Sequence, residues 1–372
     1  MAGTSTAGNS LAMITSYWGG SSRLKGLLTR FSPLLSLASW LTRKSPKIFM
    51  FHRFCQEFGE SPDRLDGGTF AWQLSILATG WTVMTLREYL ALRQKGASIP
   101  PYIVVLTVDD GYADFYQVAY PILEKYGMKA TVFPAIDFLE GKSYWWDRLH
   151  FMLANTQVEF ARITLSGRSW EMNLTTIQGK RKAYDELNDL CVFLDEASRA
   201  AILQQLSEVL QVQPSISSMP GHAPLTWRQL QQLVAHGYEI GSHSISHPRL
   251  TAITRTSLRW ELRTSKQILE ERLGCPVVTL AYPNGFPSDV NLDVMQEAAA
   301  AGYFGAVLAY GIPSPSDNTF QLARMGASSD RSDFLWKLSG LENLGAPVSR
   351  AIRRLVFRCR AVWSSEHFGR TI

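Results

Sequence analysis

Residues 103–112, IVVLTVDDGY, constrain this chain more than any other stretch. Ile103, Val104, Val105 and Leu106 form an uninterrupted apolar run rich in β-branched residues, the pattern of a strand buried on both faces in a parallel sheet. At its carboxyl end stand two adjacent carboxylates, Asp109 and Asp110, and then Gly111. In α/β proteins ligands gather at the carboxyl ends of strands. A carboxylate is rarely buried there unless it is paired or binds a metal. Taken alone, the pair reads equally well as a polar turn whose aspartate caps the next helix.

Strand and helix patterns alternate around this run. Residues 47–51, KIFMF, read as a strand with His52 and Arg53 directly after it. Helices are expected over 70–79 and 85–94, with a short strand over 81–84 between them. Asp114 is expected to cap a helix running to Tyr126, which Gly127 ends and Pro121 kinks. Residues 130–134 are the next strand, and this βαβ rhythm implies parallel strands with crossover helices. The rhythm breaks near Gly141. A hairpin is expected within 160–175, amphipathic helix over 179–212, and a proline-containing linker over 213–224. It resumes with a capping box at Thr226 and Gln229, a strand over 238–241, a helix over 255–273 and a strand over 277–281. A helix around 290–301 and strands at 305–308 and 320–325 complete it. The expected organisation is a flexible basic segment 1–46, a barrel-like domain 47–330 with 141–222 inserted, and a basic helical tail 331–372.

The 372 residues are 46% hydrophobic and 19% charged, ordinary for a chain with a sizeable core. The net charge of +5 concentrates at the ends, with Arg23, Lys25, Arg30, Arg43, Lys44 and Lys47 at the start and Arg350, Arg353, Arg354, Arg358 and Arg360 near the finish. No nucleic-acid motif accompanies it, so nucleic acid is not an expected partner. The charge reads as a solvated basic face, or as peripheral membrane contact through the basic termini. The four dispersed cysteines suggest neither a zinc ribbon nor a disulfide framework. No apolar run reaches the ~18 residues of a spanning helix. Residues 31–41 contain Pro33 and precede Arg43 and Lys44 rather than a cleavage site, which argues against a standard secretory signal. The expected location is cytoplasmic or peripheral to the inner membrane.

His243 and His247, in HSISH, are four apart and able to face one point. Imidazoles suit zinc, and a catalytic zinc keeps an open position beside three protein ligands. Asp110 is the candidate third ligand, and two adjacent aspartates allow one to bind metal while the other stays ionised as a general base. A non-haem iron oxygenase also uses two histidines and a carboxylate, but Asp109 would then have no role.

On these residues the chain resembles the polysaccharide deacetylases, carbohydrate esterases of the NodB-homology type. TVDDG at 107–111 resembles the family's TFDDG, HSISH at 243–247 its HxxxH, and AYPNG at 281–285 its third, proline-containing motif. FHRF at 51–54 is similar to the YHxI-type start of a bacterial subgroup that includes poly-N-acetylglucosamine deacetylases. The resemblance covers roughly 47–330 outside the insertion. It implies an α/β fold, a distorted (β/α)7 barrel with a mixed, mainly helical insertion. It implies a metal-dependent hydrolase that removes N-acetyl groups from N-acetylhexosamine residues of a bacterial polysaccharide or lipid-linked glycan. Asp109 would be the base, Asp110, His243 and His247 would hold a divalent metal such as Zn2+, and the Tyr282 backbone N–H would meet the oxyanion. The general acid would be His52, which fits the absence of the wider family's later Leu-x-His motif. Where the third motif usually offers an arginine, Ala281 and Tyr282 stand here, and Arg324 is expected to pair with Asp109 instead. Trp145, Trp146 and Asp147, with Pro283 and Asn284, are expected to line the sugar groove. An O-acetyl esterase and a non-catalytic glycan-binding protein on the same scaffold are the alternative readings.

Overall fold

The structure is a computed structural model and describes residues 32–57, 64–165, 168–215, 219 and 221–344. Its main parallel strands are β1 (Lys47–Phe51), β2 (Thr82–Met84), β3 (Ile103–Asp110), β4 (Thr131–Pro134), β5 (Glu239–Ile240), β6 (Thr279–Ala281), β7 (Gly305–Val307) and β8 (Met325–Gly326), and Phe54–Cys55 with Leu65–Asp66 form a further short parallel pair. One sheet runs β8–β1–β3–β4–β5, and β6 pairs with β7. Single bridges, Ser242 to Leu280 and Val307 to Leu322, join the two pieces at both ends. The ring of seven therefore closes as a distorted α/β barrel, as expected. The remaining strand, β2, pairs with the first half of β3, on the edge that β4 takes over further along.

The period of two along β3 sorts its side chains. Ile103 and Val105 join Ile48, Phe133, Ala281, Val307 and Leu322 in a cluster drawn from six segments around the ring, which places it in the lumen. Val104, Leu106 and Val108 pack outward against the helices. The same alternation carries Thr107 and Asp109 inward at the carboxyl end.

The α-helices of seven residues or more are α1 (Ser32–Leu41), α2 (Gly67–Leu77), α3 (Leu86–Gln94), α4 (Tyr120–Tyr126), α5 (Trp145–Asn155), α6 (Ile177–Phe193), α7 (Glu196–Leu210), α8 (Trp227–Ala235), α9 (Arg255–Leu273), α10 (Leu292–Ala300) and α11 (Arg331–Ser339). The capping box at Thr226 and Gln229 forms, and Thr85 with Glu88 makes another on α3. Asp114 does not cap its helix. The chain enters that segment already helical, through a π-turn at Phe115–Ala119, and the carboxylate pairs with Arg53 at 2.7 Å. Pro121 falls in the first turn of α4, where no N–H is needed. Where a kink inside one helix is expected, Pro121 stands at the junction between the π-turn and α4.

The stretch expected as an insertion holds an antiparallel hairpin, Phe160–Leu165 with Arg168–Asn173, packed with α5, α6 and α7. Leu149, Ile163, Leu187 and Leu206 belong to a core separate from that of the barrel. That separate core is the reason we propose 141–222 as a unit of its own.

Helix α1 packs on α11, and the Thr42 hydroxyl donates to Ser339 O at 3.0 Å. Lys47 is no part of a surface basic cluster. It is fully buried, its Nζ donating to Thr42 Oγ1 at 3.1 Å. Of the other expected basic residues, Arg23, Lys25, Arg30 and Arg350 to Arg360 lie outside the described residues. No helix among the described residues is long and apolar enough to cross a membrane.

Candidate active site

Asp109 and Asp110 end β3 with different backbones. Asp109 continues the inward stripe, and Asp110 turns into the left-handed region at φ 71°, followed by Gly111 at φ 85°. A Cβ at Gly111 would lie 2.7 Å from that of Pro134, so glycine is required at the turn. The turn lets neighbouring carboxylates serve one site although an extended strand would send them to opposite faces.

Asp109 is buried and held by Arg324 through two parallel bonds, Nη1 to Oδ1 at 2.7 Å and Nη2 to Oδ2 at 2.6 Å. Arg324 is itself wholly buried and also donates to Leu308 O and Thr107 Oγ1. Burial pushes the Asp109 carboxyl up, but the guanidinium outweighs it and leaves the pKa below the ordinary carboxylate value. The expected Arg324–Asp109 pair is thus present in the barrel lumen.

Asp110, His243 and His247 converge. Their ligand atoms lie within 4.8 Å of one another, with Asp110 Oδ1 at 3.5 Å from His243 Nε2 and 3.8 Å from His247 Nε2. Donors around a tetrahedral zinc at ordinary bond lengths sit roughly 3.3–3.6 Å apart, so the cluster fits such an ion. His243 Nδ1 donates to Ala281 O at 2.8 Å, which leaves its Nε2 lone pair for a cation. Burial and the neighbouring His243 push His247 down to about 3, so its ring is a neutral donor. Burial raises Asp110, and the contact with the His243 ring outweighs that and keeps the carboxyl ionised.

His52 follows β1, one residue beyond the Phe51–Val108 pair, and so stands level with Asp109. It is half-buried. Trp146 packs edge-on to the His247 ring, centroids 5.0 Å apart, and stacks on Tyr144 at 4.3 Å. Tyr144, which the sequence reading did not single out, donates its hydroxyl to Asp110 O at 2.8 Å. Trp145 and Trp146 border a cavity of about 480 Å³ between the α5–α7 unit and the barrel, with His247, Arg148 and Arg249 also on its walls.

Three expected placements are corrected. Asp147 does not border that cavity. It is buried on the inner side of α5, where it accepts from the Tyr112 hydroxyl at 2.7 Å and faces His222. Burial raises its pKa to about 7. The backbone N–H of Tyr282 donates to Val307 O at 3.2 Å, extending the β6–β7 ladder, so it is already engaged and not free for an oxyanion. Pro283 is buried, which leaves half-buried Asn284, at φ 58°, as the accessible residue of the pair.

Residues 97–305 match the family model described as polysaccharide deacetylase. Among curated proteins, YxkH of Bacillus subtilis (strain 168), provisionally named a polysaccharide deacetylase, is 23% identical over 255 residues, 68% of this chain and 61% of that protein. The chain thus spans about three fifths of the length of that relative. A gellan lyase of a Bacillus species is 27% identical over 146 residues, which cover 39% of this chain and 5% of the lyase. Among solved structures, the Streptococcus pyogenes deacetylase PplD in complex with acetate superposes with a TM-score of 0.53 at 20% identity, covering 79% of this chain and 98% of that one. IcaB from Ammonifex degensii gives a TM-score of 0.51 at 16% identity, over 80% and 97%. At these identities the structural likenesses show a shared fold.

Proposed function

The chain belongs to the polysaccharide deacetylase family, and from that premise we propose that it is a metal-dependent hydrolase removing N-acetyl groups from N-acetylhexosamine residues of a bacterial polysaccharide or lipid-linked glycan. The observation that carries this reading is the buried Asp110–His243–His247 cluster beside the Arg324-paired Asp109, next to a cavity walled by Trp145 and Trp146.

In this reading Asp110 Oδ1 and the two Nε2 atoms hold a divalent cation, with Zn2+ favoured by two imidazoles and one carboxylate. When bound, the cation supplies Lewis acidity to the acetyl carbonyl and acidifies water enough for a weak, arginine-paired base to deprotonate it. Asp109 takes that proton, and Arg324 aims its carboxylate and keeps it charged at neutral pH. Hydroxide adds to the carbonyl carbon, the carbon–nitrogen bond breaks, and His52 gives the departing nitrogen its proton, leaving acetate and a free amine. Trp145, Trp146 and Asn284 position the sugar.

The test is acetate release from N-acetylglucosamine oligomers by the full chain. Chelation is expected to abolish release and added Zn2+ to restore it. Asp109→Asn should lose at least about a hundredfold in turnover, the usual worth of a general base, while still binding metal. His243→Ala should lose both. Full activity in either variant rejects these roles, and a preference for O-acetylated sugars converts the reading to an O-acetyl esterase.

The basic ends support peripheral contact with an anionic membrane surface, which we infer to be where the substrate is met. Residues 1–31 hold three Lys or Arg and no Asp or Glu, and residues 345–372 hold six Arg and one Glu. Taking those +3 and +5 from the whole-chain +5 leaves −3 on residues 32–344, so the positive charge belongs to the ends.

A further inference from the structure

The loops that leave β6 and β7 rise at the carboxyl-terminal rim of the barrel, the end at which Asp109, Asp110 and His243 stand. Ala309 N–H donates to Gly285 O at 2.8 Å, and a Cβ on Gly285 would lie 2.6 Å from Ala309 N. Only glycine permits that approach, and its φ of 63° is left-handed as well. Gly311 N–H donates to Arg324 O at 2.9 Å, which ties the second loop to the residue just before β8 that is the partner of Asp109.

Each loop presents one aromatic side chain. Phe286 and Tyr310 stack with centroids 5.4 Å apart and planes at 27°. Phe286 is half-buried and Tyr310 keeps 44% of its surface exposed, whereas Phe49, Phe54, Phe70 and Phe133 of the core keep at most 1%. The pair therefore does not fill the core. Leu308 O, two residues before Tyr310, accepts from Arg324 Nε at 2.7 Å, which brings the second loop up to the guanidinium that holds Asp109. Neither ring borders the cavity walled by Trp145 and Trp146. The ligand cluster thus has one aromatic surface at Trp146 and a second, separate one at Phe286 and Tyr310.

We infer that the Phe286–Tyr310 pair is a saccharide subsite that takes the apolar face of a pyranose ring next to the sugar being deacetylated. A pyranose presents a face of C–H groups, which packs on an aromatic ring and leaves the hydroxyls in water. A pair held open on the catalytic rim suits a chain of sugars that crosses the site, not a lone monosaccharide. This deepens, and rests on, the reading of the protein as a glycan deacetylase.

The experiment compares the Zn2+-loaded full chain with Tyr310→Ala, Phe286→Ala and Tyr310→Trp on N-acetylglucosamine monomer and pentamer. It reads acetate release and, separately, saturation-transfer NMR of the pentamer on each protein. Either alanine variant should raise KM for the pentamer about tenfold, the worth of one aromatic contact, and leave kcat and monomer turnover within about twofold. Tyr310→Trp should restore the KM. An unchanged KM for the pentamer, or an equal loss on monomer and pentamer, overturns the subsite. If the wild type releases no acetate, the deacetylase reading fails while the NMR still decides the subsite. Saturation transfer to the pentamer that Tyr310→Ala weakens at equal concentrations upholds it, and transfer of wild-type strength in that variant, or none in the wild type, overturns it.

Discussion

Between His243 and His247 the chain passes through positive φ at Ser244, 65°, and again at His247 itself, 57°. Such backbones are strained for residues with a Cβ and persist where neighbours hold them. Glu261, buried on α9, does the holding. Its Oε2 accepts the N–H groups of Ile245 at 2.7 Å and Ser246 at 3.1 Å, and its Oε1 accepts the Ser246 hydroxyl. No motif marks this residue, because a glutamate on a charged helix reads as solvated until the helix is seen to face the ligand loop. Glu261→Ala is expected to weaken Zn2+ binding about tenfold to a hundredfold, the usual effect of losing a partner that orients ligands. A titration against a competing chelator measures this, and an unchanged affinity in a folded variant removes Glu261 from the site. Asp147 has the opposite history. Beside two tryptophans it reads as a groove residue, yet the rotation of α5 turns it inward to Tyr112.

Among the elements, β1 opens with the least expected group. Lys47 belongs by sequence to a basic run, but α1 and α11 pack over the foot of the strand and cover it. Burial lowers its pKa from 10.5 to about 8, with Glu342 pulling part of the way back. The unfolded chain therefore binds this proton more tightly than the folded one between those two values. Stability rises with pH across that window, and below about pH 8 the full cost of the buried charge, about 3 kcal/mol, remains. Lys47→Met should raise unfolding free energy at pH 7 by about 1–3 kcal/mol, less the lost bond to Thr42, and flatten the alkaline rise. Urea unfolding at pH values from neutral to alkaline reads both. A variant that keeps the wild-type pH slope would show that another group sets it.

At the scale of the whole molecule, charge and shape are divided in the same way. The first and last described helices, α1 and α11, pack together. There α1 exposes Leu37, Trp40 and Leu41 at 51–53%, and the Arg43 guanidinium lies over the Trp40 ring. An interfacial tryptophan beside apolar residues and cations suits an anionic lipid surface. Cosedimentation of the full chain should show binding to phosphatidylcholine vesicles that contain phosphatidylglycerol, weakening as salt rises, with little on phosphatidylcholine alone. Trp40→Ser with Leu41→Ser should weaken that binding by about tenfold or more. Equal binding to both vesicles, or none to either, rejects the contact.

Much of the barrel and the Asp110–His243–His247 cluster were legible because each signal is local. An apolar run names a strand, two carboxylates and a glycine name its end, and HSISH brings two imidazoles together within one turn. The family resemblance then supplied the order of the parts. Closure was not legible, since β5 and β6 meet through a single bridge at Ser242 and Leu280 that no periodicity announces. The spent N–H of Tyr282, the buried Lys47, the inward Asp147 and the Phe286–Tyr310 stack were equally hidden. Sequence by itself determines which residues want burial, a turn or a cation. Which of them meet is decided only when the ring closes, because the partners are then chosen by packing between segments hundreds of residues apart.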